Sequence, residues 1–336
     1  MVSPATTDFP ITFHLFGDVA AGYQDAPRSL GFALGQLDFF AQAKLTDSFR
    51  ALVEVVAEFG SDGTTVIDLE RVQLTYQFGD WLSVTLGRTH APFGYYNTTF
   101  HHGAWLETQI GRPRPVAFED AGGILPVHQT GIEAFGRINW SELSLGYHLG
   151  VGNGRGVIND DVLAFGDRDL FKSLHALLYL KADRPGLRLG GDVYYDRAPA
   201  ADSAVYPLRD RVIEEWIIGA HLVWQYADFE LLGEYYHVRH TPVGDAAPSV
   251  THAYMAIASY QWRMLRPYVV LEGVHFDTNV PDVFFAPEGE TLESQLSGRV
   301  GLKVWFADML CLKAEYAHSF LAPRSNTVRL QVAFGL

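Results

Sequence analysis

Apolar side chains recur at every second position along this chain, in runs of about ten residues. Leu143, Leu145, Tyr147, Leu149 and Val151 take one face, against Glu142, Ser144, Gly146 and His148 on the other. Leu296, Gly298, Val300, Leu302, Val304 and Phe306 oppose Gln295, Ser297, Arg299, Gly301, Lys303 and Trp305, and residues 326–336 repeat the pattern. A period of two is that of an extended strand, whose side chains point alternately to its two faces. Runs of about ten residues exceed the five or six usual in globular sheets and suit a tilted strand that crosses a hydrocarbon layer. No stretch approaches the roughly 18 consecutive apolar residues of a membrane helix. With 48% hydrophobic and only 19% charged residues, the chain is also too apolar for disorder.

Strands are predicted near 9–23, 30–45, 49–59, 65–78, 81–91, 128–139, 141–151, 170–182, 186–196, 211–226, 229–240, 251–262, 265–276, 292–306, 309–319 and 326–336, sixteen in all. Their connections alternate between two classes. Tight turns fall at Thr46-Asp47, Gly79-Asp80, Trp140, Asp183-Arg184-Pro185, Ala227-Asp228, Arg263-Met264 and Ala307-Asp308. Longer links lie at 24–29, 60–64, 92–127, 152–169, 197–210, 241–250, 277–291 and 320–325. Seven short turns and eight longer links are what sixteen strands give when both ends of the chain lie on the short-turn side. An even strand count and this asymmetry are properties of transmembrane barrels. Tyr76, Phe78, Trp81, Trp140, Trp224, Tyr226, Phe229, Tyr260, Trp262 and Phe306 flank the short turns, where an interfacial aromatic girdle belongs. The expected fold is all-β: one domain, residues 1–336, forming a transmembrane antiparallel β-barrel of about sixteen strands.

The single cysteine, Cys311, excludes an internal disulfide framework and any cysteine-based zinc cluster. A net charge of −14 argues against nucleic acid as a partner. Residues 1–10 show neither the basic nor the apolar stretch of a secretory leader, so the sequence reads as a mature chain.

The longest link, 92–127, is the third on its side. Links of more than about fifteen residues are uncommon unless functional or disordered. This one carries Phe93, Tyr95, Tyr96, Phe100, Trp105, Leu106, Ile110, Val116 and Phe118, too apolar to stand in water. The barrel interior is the place available, so the link is expected to fold into the lumen. The stretch Gly87-Arg88-Thr89-His90-Ala91-Pro92-Phe93-Gly94-Tyr95 resembles the G-R-x-x-x-P-F-G element of porin-like proteins in the phosphate-selective porin superfamily. Phe100-His101-His102-Gly103-Ala104-Trp105-Leu106 and Gly111-Arg112-Pro113-Arg114-Pro115 resemble further members, so the likeness covers about residues 80–135. It implies a Gram-negative outer-membrane porin that lets small hydrophilic solutes or ions diffuse passively, with the third external loop as constriction. With 25 basic against 39 acidic residues, the arginine ladder and lysine-rich strands of a true phosphate channel are absent, and the resemblance leaves selectivity open.

Candidate constriction residues are Arg88, His101, His102, Glu107, Arg112, Arg114, Glu119 and Asp120. Strand parity places Arg71, Glu133, Arg137, Arg188, Asp192, Glu234, Glu272 and Arg299 on the lumen wall. Inward acids slightly outnumber inward bases, which predicts a weak cation preference. Arg88 shares parity with Leu82, Val84 and Leu86, which face lipid, where a charge costs about 2–4 kcal/mol. A bulge near Gly87 is therefore expected to turn Arg88 inward, unless it lies beyond the bilayer. His101 and His102, with His90 and His128, have no carboxylate at motif spacing, so no metal and no cofactor is expected. Residues 150–156, rich in glycine, open no helix and read as a flexible external loop and not a phosphate cradle. Asp160, Asp161, Asp167, Asp169, Asp277, Asp282, Glu288 and Glu290 read as a solvated rim, with cation bridging to lipopolysaccharide as the functional alternative. No HExxH and no Ser/His/Asp order appears, so no enzyme is expected. Expected partners are outer-membrane lipid and lipopolysaccharide, small hydrophilic solutes, and a homo-trimer or partner subunit. The alternative role is a barrel that sheathes a multihaem cytochrome or lipoprotein. Since the chain has no CxxCH, any haem would belong to that partner.

Overall fold

The computed structural model describes residues 10–60, 63–100, 103–118, 122–158, 161–163, 170–199, 212–244, 247–280, 282, 284–285, 292–321 and 323–336. Its strands are β1 (Ile11–Asp25), β2 (Arg28–Lys44), β3 (Phe49–Phe59), β4 (Thr65–Gly79), β5 (Leu82–His90), β6 (His128–Trp140) and β7 (Leu143–Gly152). Then come the short β8 (Gly156–Ile158) and β9 (Asp161–Leu163), followed by β10 (Ser173–Ala182), β11 (Leu187–Pro199), β12 (Val212–Tyr226) and β13 (Phe229–Pro242). The last five are β14 (Ser249–Tyr260), β15 (Leu265–Phe276), β16 (Gln295–Ala307), β17 (Leu310–Ser319) and β18 (Asn326–Gly335). Sixteen of these form one closed antiparallel barrel, and β8 pairs only with β9. β1 closes it by pairing with both β2 and β18, so the barrel sheet has no free edge.

The burial pattern is the inverse of a water-soluble core. Buried positions carry Asp38, Glu54, Asp192, Glu215, Glu234, Arg299, Lys303, Lys313 and Glu315, while exposed positions carry leucine, isoleucine, valine and phenylalanine. In β13 Glu234, Tyr236 and Val238 are buried whereas Tyr235 is exposed, and β14 and β15 alternate likewise. Phe78, Trp81, Trp140, Trp224, Tyr226, Tyr260, Trp262 and Phe306 stand exposed near the short turns. An apolar outer belt bordered by aromatics is what such a barrel presents to lipid.

Two connections differ from expectation. The first long link contracts to Ala26-Pro27, because pairing continues through Gln24↔Ser29 and Asp25↔Arg28. Polar residues at strand ends look like a loop in sequence, although the ladder runs through them. The link after β7 is partly ordered as the β8–β9 ribbon.

Candidate functional site

Residues 91–127 leave the barrel after β5 and return at β6, with one helical turn, α1 (Tyr96–Thr99), and a 3-10 turn over Arg114–Val116. A long irregular segment must satisfy its backbone polar groups somewhere, and here inward side chains of distant strands do so. Glu234 of β13 accepts from the Tyr95 and Tyr96 N–H groups at 2.6 and 2.7 Å, and from the Tyr236 hydroxyl at 2.7 Å. Glu272 of β15 accepts from the Arg114 N–H at 2.8 Å, and Glu315 of β17 from that of Ile110 at 3.1 Å. Arg299 of β16 donates to the Ile110 carbonyl at 3.0 Å. Lys303 donates to the carbonyls of Trp105 and, at 2.8 Å, Glu107; Lys313 donates to those of Ala104 and Gln109 at 2.5 and 2.7 Å.

Gly94 explains one letter of the sequence motif. It has φ +56°, and a Cβ there would lie 2.3 Å from the Tyr236 hydroxyl and 2.6 Å from Glu234 Oε1. Only glycine lets the chain approach that carboxylate. Arg112 folds the loop on itself. It donates to the carbonyls of Val116 and Phe100 at 2.6 and 2.7 Å and to Asn97 Oδ1 at 2.6 Å, and it stacks on Tyr96 and Phe118.

The loop divides the interior unequally. Phe93, Tyr96, Val116, Ile124 and Leu125 join Tyr194, Ile217, Tyr236, Val238, Met255, Val270 and Val274 in one buried apolar cluster. That side, against β11–β15, is packed. Two cavities lie toward β15–β18 and β1–β2. One, of about 470 Å³, lies between Arg112 and Arg114 of the loop and Glu272, Ser297, Arg299 and Arg329 of the wall. The other, of about 300 Å³, lies between Glu107, Arg112 and Phe118 and the wall residues Asp18, Gln36 and Gln331. Arg112 and Ala117 line both. Arg299 pairs with Glu272 at 2.7 Å and approaches Glu315 at 3.8 Å, and Arg329 pairs with Glu315 at 2.5 Å. Burial lowers the pKa of Arg114, and the Glu272 carboxylate opposes that shift. Four guanidiniums thus line the larger cavity with the carboxylates Glu272 and Glu293, while Asp18 and Glu107 line the smaller one with Arg112.

Of the predicted constriction residues, Glu107, Arg112 and Arg114 come together at these cavities. His101, His102, Glu119 and Asp120 lie outside the described residues. Arg88 does not join them: its Nε donates to the Glu70 carbonyl at 2.9 Å. The expected irregularity at Gly87 takes another form. Pairing with β4 runs in register through Gln73↔Gly87 and Val72↔Arg88, and Gly87 itself adopts φ +126°, with the Val72 carbonyl 1.9 Å from where a Cβ would stand. The bulge sits across the ladder on β4, where Glu70 is squeezed between Leu69 and Arg71 and turned inward, 2.5 Å from His128.

The predicted wall residues divide by role. Glu234, Glu272 and Arg299 anchor the loop directly. Arg188 stacks between Tyr95 of the loop and Tyr179 of the wall. Arg71 pairs with Glu54, Glu133 with His148 at 2.5 Å, Asp192 is buried, and Arg137 lies near the short-turn end. Lys303, Lys313, Glu315 and Arg329 have the same inward parity but carry no motif that marks them as loop anchors. Among the described residues, no group of three or more histidine, cysteine or carboxylate side chains is placed to hold a metal.

A second buried cluster ties the long-loop rim together and corrects two expectations. The glycine-rich stretch after β7 is no free external loop: Arg155 is 1% exposed, pairs with Glu215, and donates to the Ile124 carbonyl at 2.9 Å. Asp282 is no solvated rim acid. It is 1% exposed, 2.8 Å from His240 Nδ1, and accepts from the Phe284 N–H at 3.0 Å, while His240 Nε2 lies 2.8 Å from Glu215. Phe284 and Phe285 stack under Arg155. The link that carries them is thereby folded onto the wall. Glu288, Glu290, Asp160, Asp167 and Asp169 lie outside the described residues.

No family model matches the sequence, and no curated protein matches it. Solved structures do. The anion-selective porin from Comamonas acidovorans aligns with a TM-score of 0.68 at 11% identity, over 98% of this chain and 100% of that one. The trimer form of OmpT, an outer membrane protein of Vibrio cholerae, aligns at 0.66 and 11%, over 98% and 100%. OmpF of Salmonella typhi, in complex with daunomycin, aligns at 0.62 and 11%, over 97% of each chain. The expectation of no enzyme does not survive these likenesses. The neighbours include the OmpT barrels, described as outer membrane proteins without a named channel, and at such identity the likeness establishes fold alone. The shared barrel does not separate a channel from an outer-membrane enzyme. The fold itself is that of the sixteen-stranded porins of the bacterial outer membrane.

Proposed function

We propose that this barrel is an outer-membrane porin for passive diffusion of small hydrophilic solutes. In this reading residues 91–127 narrow the lumen, and the path runs along β16–β18 and β1–β2. The observation that carries it is the pair of cavities, about 470 and 300 Å³, that share Arg112 and Ala117 as a common wall. The loop is held by hydrogen bonds from β13, β15, β16 and β17, so it acts as a fixed partition. That partition takes the space a sheathed cytochrome or lipoprotein would need, which argues against the scaffold role.

The sign of selectivity follows from local charge. Inward carboxylates outnumber cations along the whole wall, but most are distant from the passage or paired. Charges beyond about 8 Å in physiological salt are largely screened. Around the larger cavity Arg112, Arg114, Arg299 and Arg329 outnumber Glu272 and Glu293, so we assign the pore a modest anion preference set there, in place of the weak cation preference read from parity. The likeness to an anion-selective porin supports this sign. The phosphate-porin-like motif is accounted for by loop placement, since its Gly94 permits the contact with Glu234. A homo-trimer is the assembly that the trimeric neighbour favours. Proteoliposomes should swell in isosmotic small sugars and less in larger ones. Absence of swelling with any solute, with the barrel folded, would refute the channel.

A further inference from the structure

We infer that His237, His252 and His275, with Arg239, form a lipid-facing site for the phosphate groups of an outer-leaflet glycolipid. The three histidines lie on adjacent strands in one cross-strand row, His237↔His252 and His252↔His275. Their chain neighbours Tyr236, Val238, Ala253 and Val274 are fully buried on the inner face, so the histidines point outward.

Below them the same outer face is apolar, with Leu231, Ala256, Val269 and Leu271. A row of imidazoles in hydrocarbon is unfavourable, so its height matters. From Phe229 to His237 is eight residues, which at a rise of about 3.3 Å and a tilt of about 40° lifts the row ~20 Å above the short-turn girdle. A membrane barrel's apolar band is ~25 Å tall. The row therefore stands within about 5 Å of the opposite boundary, on the long-loop side, and Arg239, two residues further along, reaches that boundary, where headgroups begin. Tyr235 and Trp216, both exposed, bracket the row, Trp216 level with Arg239 and Tyr235 with Tyr254.

The rings are held in fixed orientations. The Tyr235 hydroxyl lies 2.6 Å from His252 Nδ1 and the Tyr254 hydroxyl 3.1 Å from His275 Nε2. A tyrosine hydroxyl that donates to one ring nitrogen leaves the proton of a neutral imidazole on the other. His252 and His275 then each keep a ring N–H for an anionic oxygen. Arg239, the next outward residue above His237, is exposed and supplies a fixed charge in the forked geometry that suits phosphate. The nearby carboxylates are engaged: Glu214 with Arg197 at 3.6 Å, and Asp277 Oδ1 with the Asn279 N–H at 2.8 Å. The same rings do not converge as metal ligands.

The inference rests on the barrel standing in the outer membrane, not on its conducting, so a closed channel in bilayers leaves it intact. The test titrates the delipidated full-length barrel with bisphosphorylated lipid A, with lipid A lacking both phosphates, and with inorganic phosphate, binding being read by native mass spectrometry. The bisphosphorylated lipid should bind at least about tenfold more tightly than the dephosphorylated one, and Arg239→Gln and His252→Ala should each remove about that factor. Heat-modifiable gel mobility certifies that each variant is folded. Arg239→Gln, an exposed change, keeps the test readable if His252→Ala does not fold. Equal binding of the two lipids, or unchanged binding by folded variants, would overturn the proposal. So would capture of inorganic phosphate alone at the same concentration, or Zn²⁺ retention lost with His252.

Discussion

Glu234 offers the sharpest test of how the interior loop is held. One carboxylate oxygen accepts two backbone N–H groups, of Tyr95 and Tyr96, at 2.6 and 2.7 Å, and the other accepts the Tyr236 hydroxyl. Glu234→Leu removes the acceptor and leaves the buried Tyr96 N–H and the part-buried Tyr95 N–H unpaired, at about 1–3 kcal/mol each. Their sum, ~2–6 kcal/mol, acts on the local docking of the loop. Global barrel stability is a poor readout, because removing a buried carboxylate also relieves its desolvation. A local loss of ~3 kcal/mol raises the opening equilibrium by about 150-fold. Amide exchange at Tyr95 and Tyr96 should accelerate by about that factor, and single-channel records should gain open-level noise. Glu234→Gln keeps a carbonyl oxygen for both donors and should stay within about tenfold of wild type. Unchanged exchange and noise in a folded Glu234→Leu barrel would show that the apolar packing of Phe93 and Tyr96, not the carboxylate, seats the loop.

Two further outcomes follow from the same geometry. Deletion of residues 97–120 with the barrel retained should raise single-channel conductance; an unchanged value would mean that the loop does not limit the pore. The docked link that carries Asp282 should respond to acid. Burial works to raise the Asp282 pKa, but the His240 ring and the N–H groups of Phe284 and Phe285 hold it below the ordinary carboxylate range. A lowered folded-state pKa stabilises docking fully above about 3.9, and that stabilisation is lost as pH falls toward the depressed value. Protease nicking of residues 277–294 should therefore be flat from pH 7 to 5 and rise below about 4, whereas Asp282→Asn should be nicked throughout.

Strand parity was legible because a barrel wall leaves each residue only two environments. Alternation placed Glu234, Glu272 and Arg299 on the inner face from sequence alone, and the apolar content of 92–127 made an exposed loop untenable. Three features were not legible. The bulge at Glu70 breaks parity by one residue inside an otherwise regular strand, and no residue type at that position marks it. Arg155 and Asp282 look like ordinary loop residues, since their burial depends on Glu215 and His240, which lie on strands remote in sequence. The convergence of Arg112 and Arg114 with Arg299 and Arg329 is a tertiary property that summed inward charge does not contain.

A salt-gradient reversal potential in planar bilayers reports both whether the barrel conducts and whether solutes pass the arginine-lined partition. Stepwise conductance is expected, with a reversal potential of anion-preferring sign that shifts toward the cation side in the Arg112→Ala, Arg114→Ala double variant. A folded barrel that inserts without conductance steps would contradict the channel, and a clear cation preference in the wild-type protein would contradict the path.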